Sequence, residues 1–204
     1  MHQKLKAIAW DFDGVLNRNI VNGRFVWADS LQDDLGISLR DLQKGIFDDT
    51  FLDVISGKID LKIHVQRWLE ASNHKLSVGA LLEYWFRKDD LKDPYTCDLL
   101  DRMNVQGVQQ VIATNNEHHR ASYIEHVSGF GDRVSEIFSS GRIGHAKPET
   151  AFFEHVSNSL DLAPQQLLLI DDSAANVAAA KALGWHAYHF TDATRSGLAT
   201  CLGL

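Results

Sequence analysis

Two aspartates one residue apart follow the first apolar run of the chain, Ala7–Trp10. A short apolar run that ends in polar residues and a glycine predicts a buried β-strand. Strand side chains alternate between faces, so regular geometry would point Asp11 and Asp13 the same way. Two neighbouring carboxylates at the end of a buried strand need a positive charge between them. Mg²⁺ prefers carboxylate oxygens and keeps positions open for water and phosphate, whereas the alternative is a solvated acidic loop.

Polar residues also follow three later apolar runs. They are Thr114, Asn115 and Asn116 after the second strand, Lys147 after the third, and Asp171 and Asp172 after the fourth. In an open α/β sheet, ligands bind beyond the carboxyl ends of the strands. Each of these residues taken alone is typical of a helix cap or a surface position. Their recurrence at four successive strand ends predicts a single site.

The residue types in this set suit phosphoryl transfer. Four carboxylates, those of Asp11, Asp13, Asp171 and Asp172, require a metal ion to coexist at one edge. Thr114 offers a hydroxyl, and the Asn115 and Asn116 amides are expected to begin a helix whose N-terminus favours phosphate. Lys147 supplies a fixed positive charge to phosphate oxygens. Phosphoryl transfer depends mostly on positioning and on charge stabilisation.

The elements that must position these residues alternate between strand and helix from residue 94 onward. This alternation predicts a parallel sheet with helices on both faces, an α/β Rossmann-like three-layer core. Residues 17–90 differ: Asn22-Gly23 predicts a hairpin flap, and amphipathic helices follow from about residue 28 to 88. We therefore predict a core domain of residues 1–16 and 91–204, with a flap and an all-helical cap over residues 17–90.

Within the predicted cap, three aromatic residues recur at helical spacing. They are Trp68, Trp85 and Phe86. Such a stripe is more typical of the core of a helix bundle than of a ligand site.

Composition excludes several classes of protein. The 204 residues carry a net charge of −7 and 45% hydrophobic residues, with no basic block, which argues against a nucleic-acid partner. No apolar stretch is long enough to span a membrane. The first six residues lead directly into the first predicted strand, so we expect no signal peptide. Two distant cysteines, Cys97 and Cys201, fit a reduced cytoplasmic protein, expected as a monomer or homodimer.

Four ordered motifs of the sequence resemble those of the haloacid dehalogenase-like hydrolases. They are Asp11-Phe12-Asp13-Gly14-Val15, Thr114-Asn115-Asn116, Lys147-Pro148 and Asp171-Asp172-Ser173-Ala174-Ala175-Asn176. The resemblance covers essentially the whole chain, and the helical insertion is similar to the C1 cap of that superfamily. Within it, the sequence most resembles bacterial sugar-phosphate phosphatases, which include a glucose-1-phosphatase.

The resemblance implies a role for each motif. Asp11 would attack phosphorus, and Asp13 would protonate the leaving oxygen and then activate water. An acid at position 13 favours a phosphatase over a dehalogenase, because a halide leaves without a proton. Thr114, Asn115 and Lys147 would bind the phosphate. Mg²⁺ would be held by Asp11, the Asp13 carbonyl and Asp172, with Asp171 in a water-mediated or orienting role.

The expected activity is therefore magnesium-dependent hydrolysis of a small phosphorylated metabolite, favoured to be a sugar phosphate, through an aspartyl-phosphate. Two alternatives remain open. One is a phosphosugar mutase of the same architecture, and the other is a catalytically idle module that binds a partner.

Overall fold

The computed structural model describes residues 5–21 and 23–204 and contains a five-stranded parallel sheet. Residues 1–4 and Asn22 of the predicted hairpin turn lie outside this range. The strand order is β5-β4-β1-β6-β7. The sheet strands are β1 (Ala7–Trp10), β4 (Gln109–Thr114), β5 (Glu136–Ser139), β6 (Leu167–Asp171) and β7 (His186–His189). The α/β prediction is confirmed.

Helices cover both faces of the sheet. They are α6 (Pro94–Val105), α7 (His118–His126), α8 (Ser140–Ile143), α9 (Thr150–Leu160), α10 (Ala174–Ala182) and α11 (Leu198–Leu202), with 3₁₀ turns at Pro164–Gln166 and Arg195–Gly197. Ile8 and Trp10 belong to a hydrophobic cluster that includes residues of α6, α7 and α11. Ala7 and Ala9 belong to a second cluster with residues of α9 and α10. The alternation along β1 thus divides the core into two layers around the sheet.

The segment between β1 and β4 forms a hairpin and then helices. The hairpin strands are β2 (Ile20–Val21) and β3 (Arg24–Phe25). A 3₁₀ turn at Val26–Ser30 precedes α1 (Leu31–Leu35), α2 (Leu39–Gly45), α3 (Phe51–Ile55), α4 (Leu61–Ala71) and α5 (Val78–Lys88). The Ser38 hydroxyl caps α2 by accepting from the Asp41 amide at 3.1 Å.

The inserted helices have a hydrophobic cluster of their own, which includes Leu42, Val65 and Leu81. Their separate core supports the predicted division into a cap and a core domain at residues 16/17 and 90/91, which stays a prediction. Throughout the part of the chain that the structure describes, no helix combines the length and the apolar character needed to cross a membrane.

A close backbone approach joins the cap to the core. Gly57 in the cap has a φ of +74°, and a Cβ there would lie 2.3 Å from the carbonyl oxygen of Gly141. Nearby, the Ser140 hydroxyl donates to the Ile55 carbonyl at 2.8 Å. A side chain at position 57 would therefore force the cap away from the core. These contacts hold α3 above the carboxyl edge of the sheet.

Candidate active site

The sheet register brings Asp11 and Asp171 side by side. Trp10 of β1 pairs with Ile170 of β6, so the next residue on each strand is one of these acids. Lys147 lies between them, with Nζ 3.0 Å from an Asp11 oxygen and 2.6 Å from an Asp171 oxygen. The side chains of Lys147 and Asp171 are fully buried. Lys147 thus reaches Asp11 from a loop that is distant in sequence.

The carboxylates outnumber the cation at this point. Burial, and then the Asp171 charge, raise the pKa of Asp11 well above its usual value, although Lys147 acts in the opposite direction. Burial and the Asp171 charge also raise the pKa of Asp172. For Lys147, burial alone would lower the pKa, but the Asp11 and Asp171 carboxylates raise it. One lysine therefore does not neutralise the three acids, and a further cation would stabilise them.

The donor set at this edge fits a hard divalent cation. One carboxylate oxygen from each of Asp11, Asp171 and Asp172 lies within 4.8 Å of the others. Gly14 has a φ of +80°, and a Cβ there would lie 2.3 Å from Asp172 Oδ2, so glycine leaves room for that carboxylate. Oxygen ligands grouped in this way suit Mg²⁺.

Asp171 and Asp172 differ in how far their oxygens are already occupied. Asp171 accepts from Lys147 Nζ at 2.6 Å, from the Ser173 amide at 2.9 Å and from Asn176 Nδ2 at 3.0 Å. Among the described residues, no side chain donates to the Asp172 carboxylate. Asp172 is thus the freer of the two to bind a metal, whereas Asp171 orients Lys147.

Three asparagines hold the Asp13 carboxylate. Asn19 Nδ2 donates to Asp13 Oδ1 at 2.7 Å and Asn17 Nδ2 donates to the same oxygen at 3.2 Å. Asn116 Nδ2 donates to Oδ2 at 2.8 Å. Sequence reasoning missed these partners, and the signal available was the pair of asparagines shortly after Gly14. The amides fix the orientation of Asp13.

The turn at Thr114–Asn116, which the sequence predicts to begin a phosphate-binding helix, makes different contacts in the structure. Asn115 binds the Lys147 backbone, donating to its carbonyl at 2.7 Å and accepting from its amide at 2.8 Å. The Thr114 hydroxyl accepts from Asn116 at 2.7 Å. Helix α7 begins at His118, not at Asn115, and the Glu117 carboxylate caps its first amides. The Asn115 side chain therefore positions the lysine loop, and the α7 amides already have an anionic partner.

A buried contact between Asp89 and Arg120 links the cap to this site and was not predicted. Asp89 follows α5 in a stretch of mostly polar residues, yet it is only 3% exposed. Its carboxylate contacts Arg120 at 2.9 Å and accepts from Asn19 at 2.8 Å. Burial, and then the Asp13 charge, raise the pKa of Asp89 to about 8. Asn19 thus bridges Asp13 and Asp89.

A cavity of about 290 Å³ lies above Asp13, between the cap and the core. Its walls include Trp85, which the sequence placed in the cap core. That expectation holds for Trp68 and Phe86, which are 9% and 6% exposed. Trp85 is half-buried and packs against the same cap core, and it also lines the cavity. An apolar stripe at helical spacing has the same pattern whether it faces another helix or an open cavity.

These features match a known family. The family model of haloacid dehalogenase-like hydrolases matches residues 5–184, so the chain belongs to this family. The resemblance predicted from the four motifs is thereby confirmed.

Two curated relatives span nearly the whole chain. One is a sesquiterpene phosphatase of Aspergillus oryzae, 28% identical, with 98% of this chain and 94% of the relative covered. The other is a phosphoglycolate phosphatase of Chromobacterium violaceum, 27% identical, with 95% of this chain and 90% of the relative covered. Among solved structures, a family enzyme of Bacteroides thetaiotaomicron in complex with magnesium and inorganic phosphate superposes with a TM-score of 0.74. It is 20% identical and shares the fold, with 92% of this chain and 94% of that chain covered.

Proposed function

We propose that the protein is a magnesium-dependent phosphomonoester hydrolase that works through an aspartyl-phosphate on Asp11. The observation that carries this proposal is the convergence of Asp11, Lys147 and Asp172 at the edge of the sheet, with Asp13 beside a cavity. The two curated relatives are both named phosphatases, which supports the same reaction class. The two names give different substrates, so they do not define the alcohol that the proposed hydrolysis would release.

Lys147 and Thr114 would bind the phosphoryl group in front of Asp11. An Asp11 oxygen forms a bond to phosphorus while the bond from phosphorus to the ester oxygen breaks. Asp13 gives its proton to that oxygen, which leaves as an alcohol. Asp13 then takes a proton from water as the water oxygen attacks phosphorus, and this step frees inorganic phosphate and restores Asp11.

Asp11, Asp172 and the Asp13 carbonyl would hold Mg²⁺, with Asp171 as an orienting partner. When bound, the ion supplies charge neutralisation for the carboxylates and for the phosphoryl oxygens. The protein's own contribution is to keep Lys147 fixed between Asp11 and Asp171 and to close the cap above the reacting group.

Phosphate release by the purified protein tests this proposal. We expect hydrolysis of phosphomonoesters with Mg²⁺, loss of that activity with EDTA, and recovery when Mg²⁺ is restored. Asp11→Asn should abolish turnover without changing the unfolding temperature by more than a few degrees. Asp98→Asn, which alters a carboxylate with 64% side-chain exposure on α6, is the matched control and should retain activity.

Two outcomes would reject this function. Wild-type turnover in Asp11→Asn would remove Asp11 from the nucleophile role. Conversion of glucose 1-phosphate into an isomeric phosphosugar, without free phosphate, would support the mutase alternative.

A further inference from the structure

The cap side of the cavity above Asp13 consists of Asp89, which is already paired with Arg120 and Asn19, and of six apolar side chains. They are Phe25, Trp27, Phe47, Phe51, Ile55 and Trp85. The only polar atoms in these six side chains are two indole nitrogens. The leaving group of the proposed hydrolysis must lie on this side, because Asp13 lines the cavity and would donate the proton to the leaving oxygen.

Aromatic contacts give this wall a fixed shape. Trp27 stacks on Trp85 with ring centroids 5.1 Å apart and an interplanar angle of 18°. Phe47 meets Trp85 edge-on at 5.2 Å and meets Phe51 at 4.7 Å. Trp27 is itself part of the cap core and only 4% exposed. The wall is therefore held in place by neighbouring rings before any ligand binds.

The polar residues on the core side already have partners within the protein. Asn116 donates to Asp13 and to Thr114. Glu117 caps α7, and Arg120 donates to Asp89 and to the Phe86 carbonyl at 2.9 Å. A ligand with many hydroxyls would lose its hydrogen bonds to water in this cavity and would find few replacements. An apolar group would lose nothing comparable and would gain burial.

We propose that the alcohol released by this phosphatase is apolar, with a hydrocarbon group packed against the Trp27–Trp85 wall. This inference rests on the proposed function and names its substrate class. The volume is sufficient, since a dry apolar cavity of roughly half this size accommodates a benzene ring. The lining favours a hydrocarbon over the sugar that was predicted from the sequence.

A series of alkyl phosphates tests the inference with the wild-type enzyme. Ethyl, butyl, hexyl and octyl phosphate have nearly the same ester chemistry and differ in apolar length. We expect kcat/KM to rise up to about fourfold per added methylene, equivalent to ~0.8 kcal/mol, until the chain fills the cavity. Glucose 6-phosphate, the polar comparison, should be a poorer substrate than hexyl phosphate.

Two neighbouring positions on α3 provide matched variants. Phe51 lines the cavity, whereas Leu52 is 73% exposed. Phe51→Ser should lower the ratio of kcat/KM for octyl over ethyl phosphate by roughly tenfold. Leu52→Ser should leave this ratio within twofold of the wild type.

The outcomes separate the inference from the function on which it rests. Hydrolysis of the whole series with no rise in kcat/KM, or a preference for glucose 6-phosphate, would overturn the apolar substrate while the phosphatase function stands. A series that rises equally in Phe51→Ser would overturn the assignment of this cavity. Failure to release phosphate from any compound with Mg²⁺ present would overturn the phosphatase function itself.

Discussion

Replacement of Arg120 by methionine should destabilise the protein in a way that depends on pH. The guanidinium is 3% exposed and contacts Asp89 at 2.9 Å. It also lies 5.3 to 5.7 Å from the ring centroids of Phe12, Phe86 and Tyr123. Methionine would fill much of this space but would leave Asp89 without its cation. The contact joins the residue after α5 to α7, so its loss affects the packing of the inserted segment on the sheet and its helices.

The expected magnitude follows from the protonation state of Asp89. Its pKa is raised to about 8, so below that pH the carboxyl can keep a proton, and the variant loses mainly hydrogen bonds and packing, about 1–3 kcal/mol. A carboxyl whose pKa is raised on folding holds a proton that the unfolded chain has released. Folding stability therefore falls as pH rises, until the folded-state pKa is passed.

The wild type should stop losing stability from this group above about pH 8, where Asp89 ionises beside Arg120. In Arg120→Met the pKa of Asp89 rises further, so the loss continues at up to ~1.4 kcal/mol per pH unit. The free energy of unfolding of the two proteins should thus differ by about 2 kcal/mol at pH 7 and by roughly 3–4 kcal/mol at pH 9. The larger difference agrees with the cost of breaking a buried ion pair.

Urea unfolding at both pH values, followed by circular dichroism, measures this difference. In Arg120→Met/Asp89→Asn the carboxyl is absent, and the additional loss at pH 9 should disappear. Arg133→Met is the matched control, because Arg133 also lies over a ring, that of Phe130, but pairs with an Asp101 side chain that is 54% exposed. Arg133→Met should lower the free energy of unfolding by about 1 kcal/mol or less, and by the same amount at both pH values. A difference for Arg120→Met that does not change with pH would refute the reasoning.

Three further predictions concern the acids and the metal. In metal-free protein, Asp172→Asn should raise the unfolding temperature, because it removes a charge that Asp171 repels. The same variant should abolish the rise in unfolding temperature that Mg²⁺ causes in the wild type. Thermal unfolding with and without Mg²⁺ checks both results. Gly14→Ala should raise the Mg²⁺ concentration for half-maximal activity roughly 10- to 100-fold, because the new methyl group displaces Asp172. An unchanged half-maximal concentration in a magnesium titration of activity would contradict this prediction. Burial alone would raise the pKa of Asp93, but its hydrogen bonds with Arg195 lower it. Asp93→Asn should therefore cost about 1.5–3 kcal/mol at pH 7, and unfolding measured at lower pH should show this cost shrinking below about pH 3.9, as the wild-type carboxyl takes up its proton.

The sequence determined the sheet, the inserted helices and the polar residues at the carboxyl edge of the sheet. An apolar strand followed by Asp11, and another followed by Asp171, place both acids at one edge, because parallel strands end on the same side. Motif order also identified the family. These features depend on local pattern and chain order, which a sequence carries directly.

Only the tertiary structure decided which partners each polar residue has. Asn115 binds the lysine loop, and Asp89 lies buried against Arg120 although its neighbours in sequence are polar. The same holds for Trp85, whose ring packs against the cap core as its helical spacing predicts and also faces the cavity. Contacts between segments far apart in the chain, and the cavity that those segments enclose, depend on how the segments pack against one another. Hydrophobic periodicity indicates that one face of a helix is apolar, but it does not indicate whether another helix or a cavity lies opposite that face.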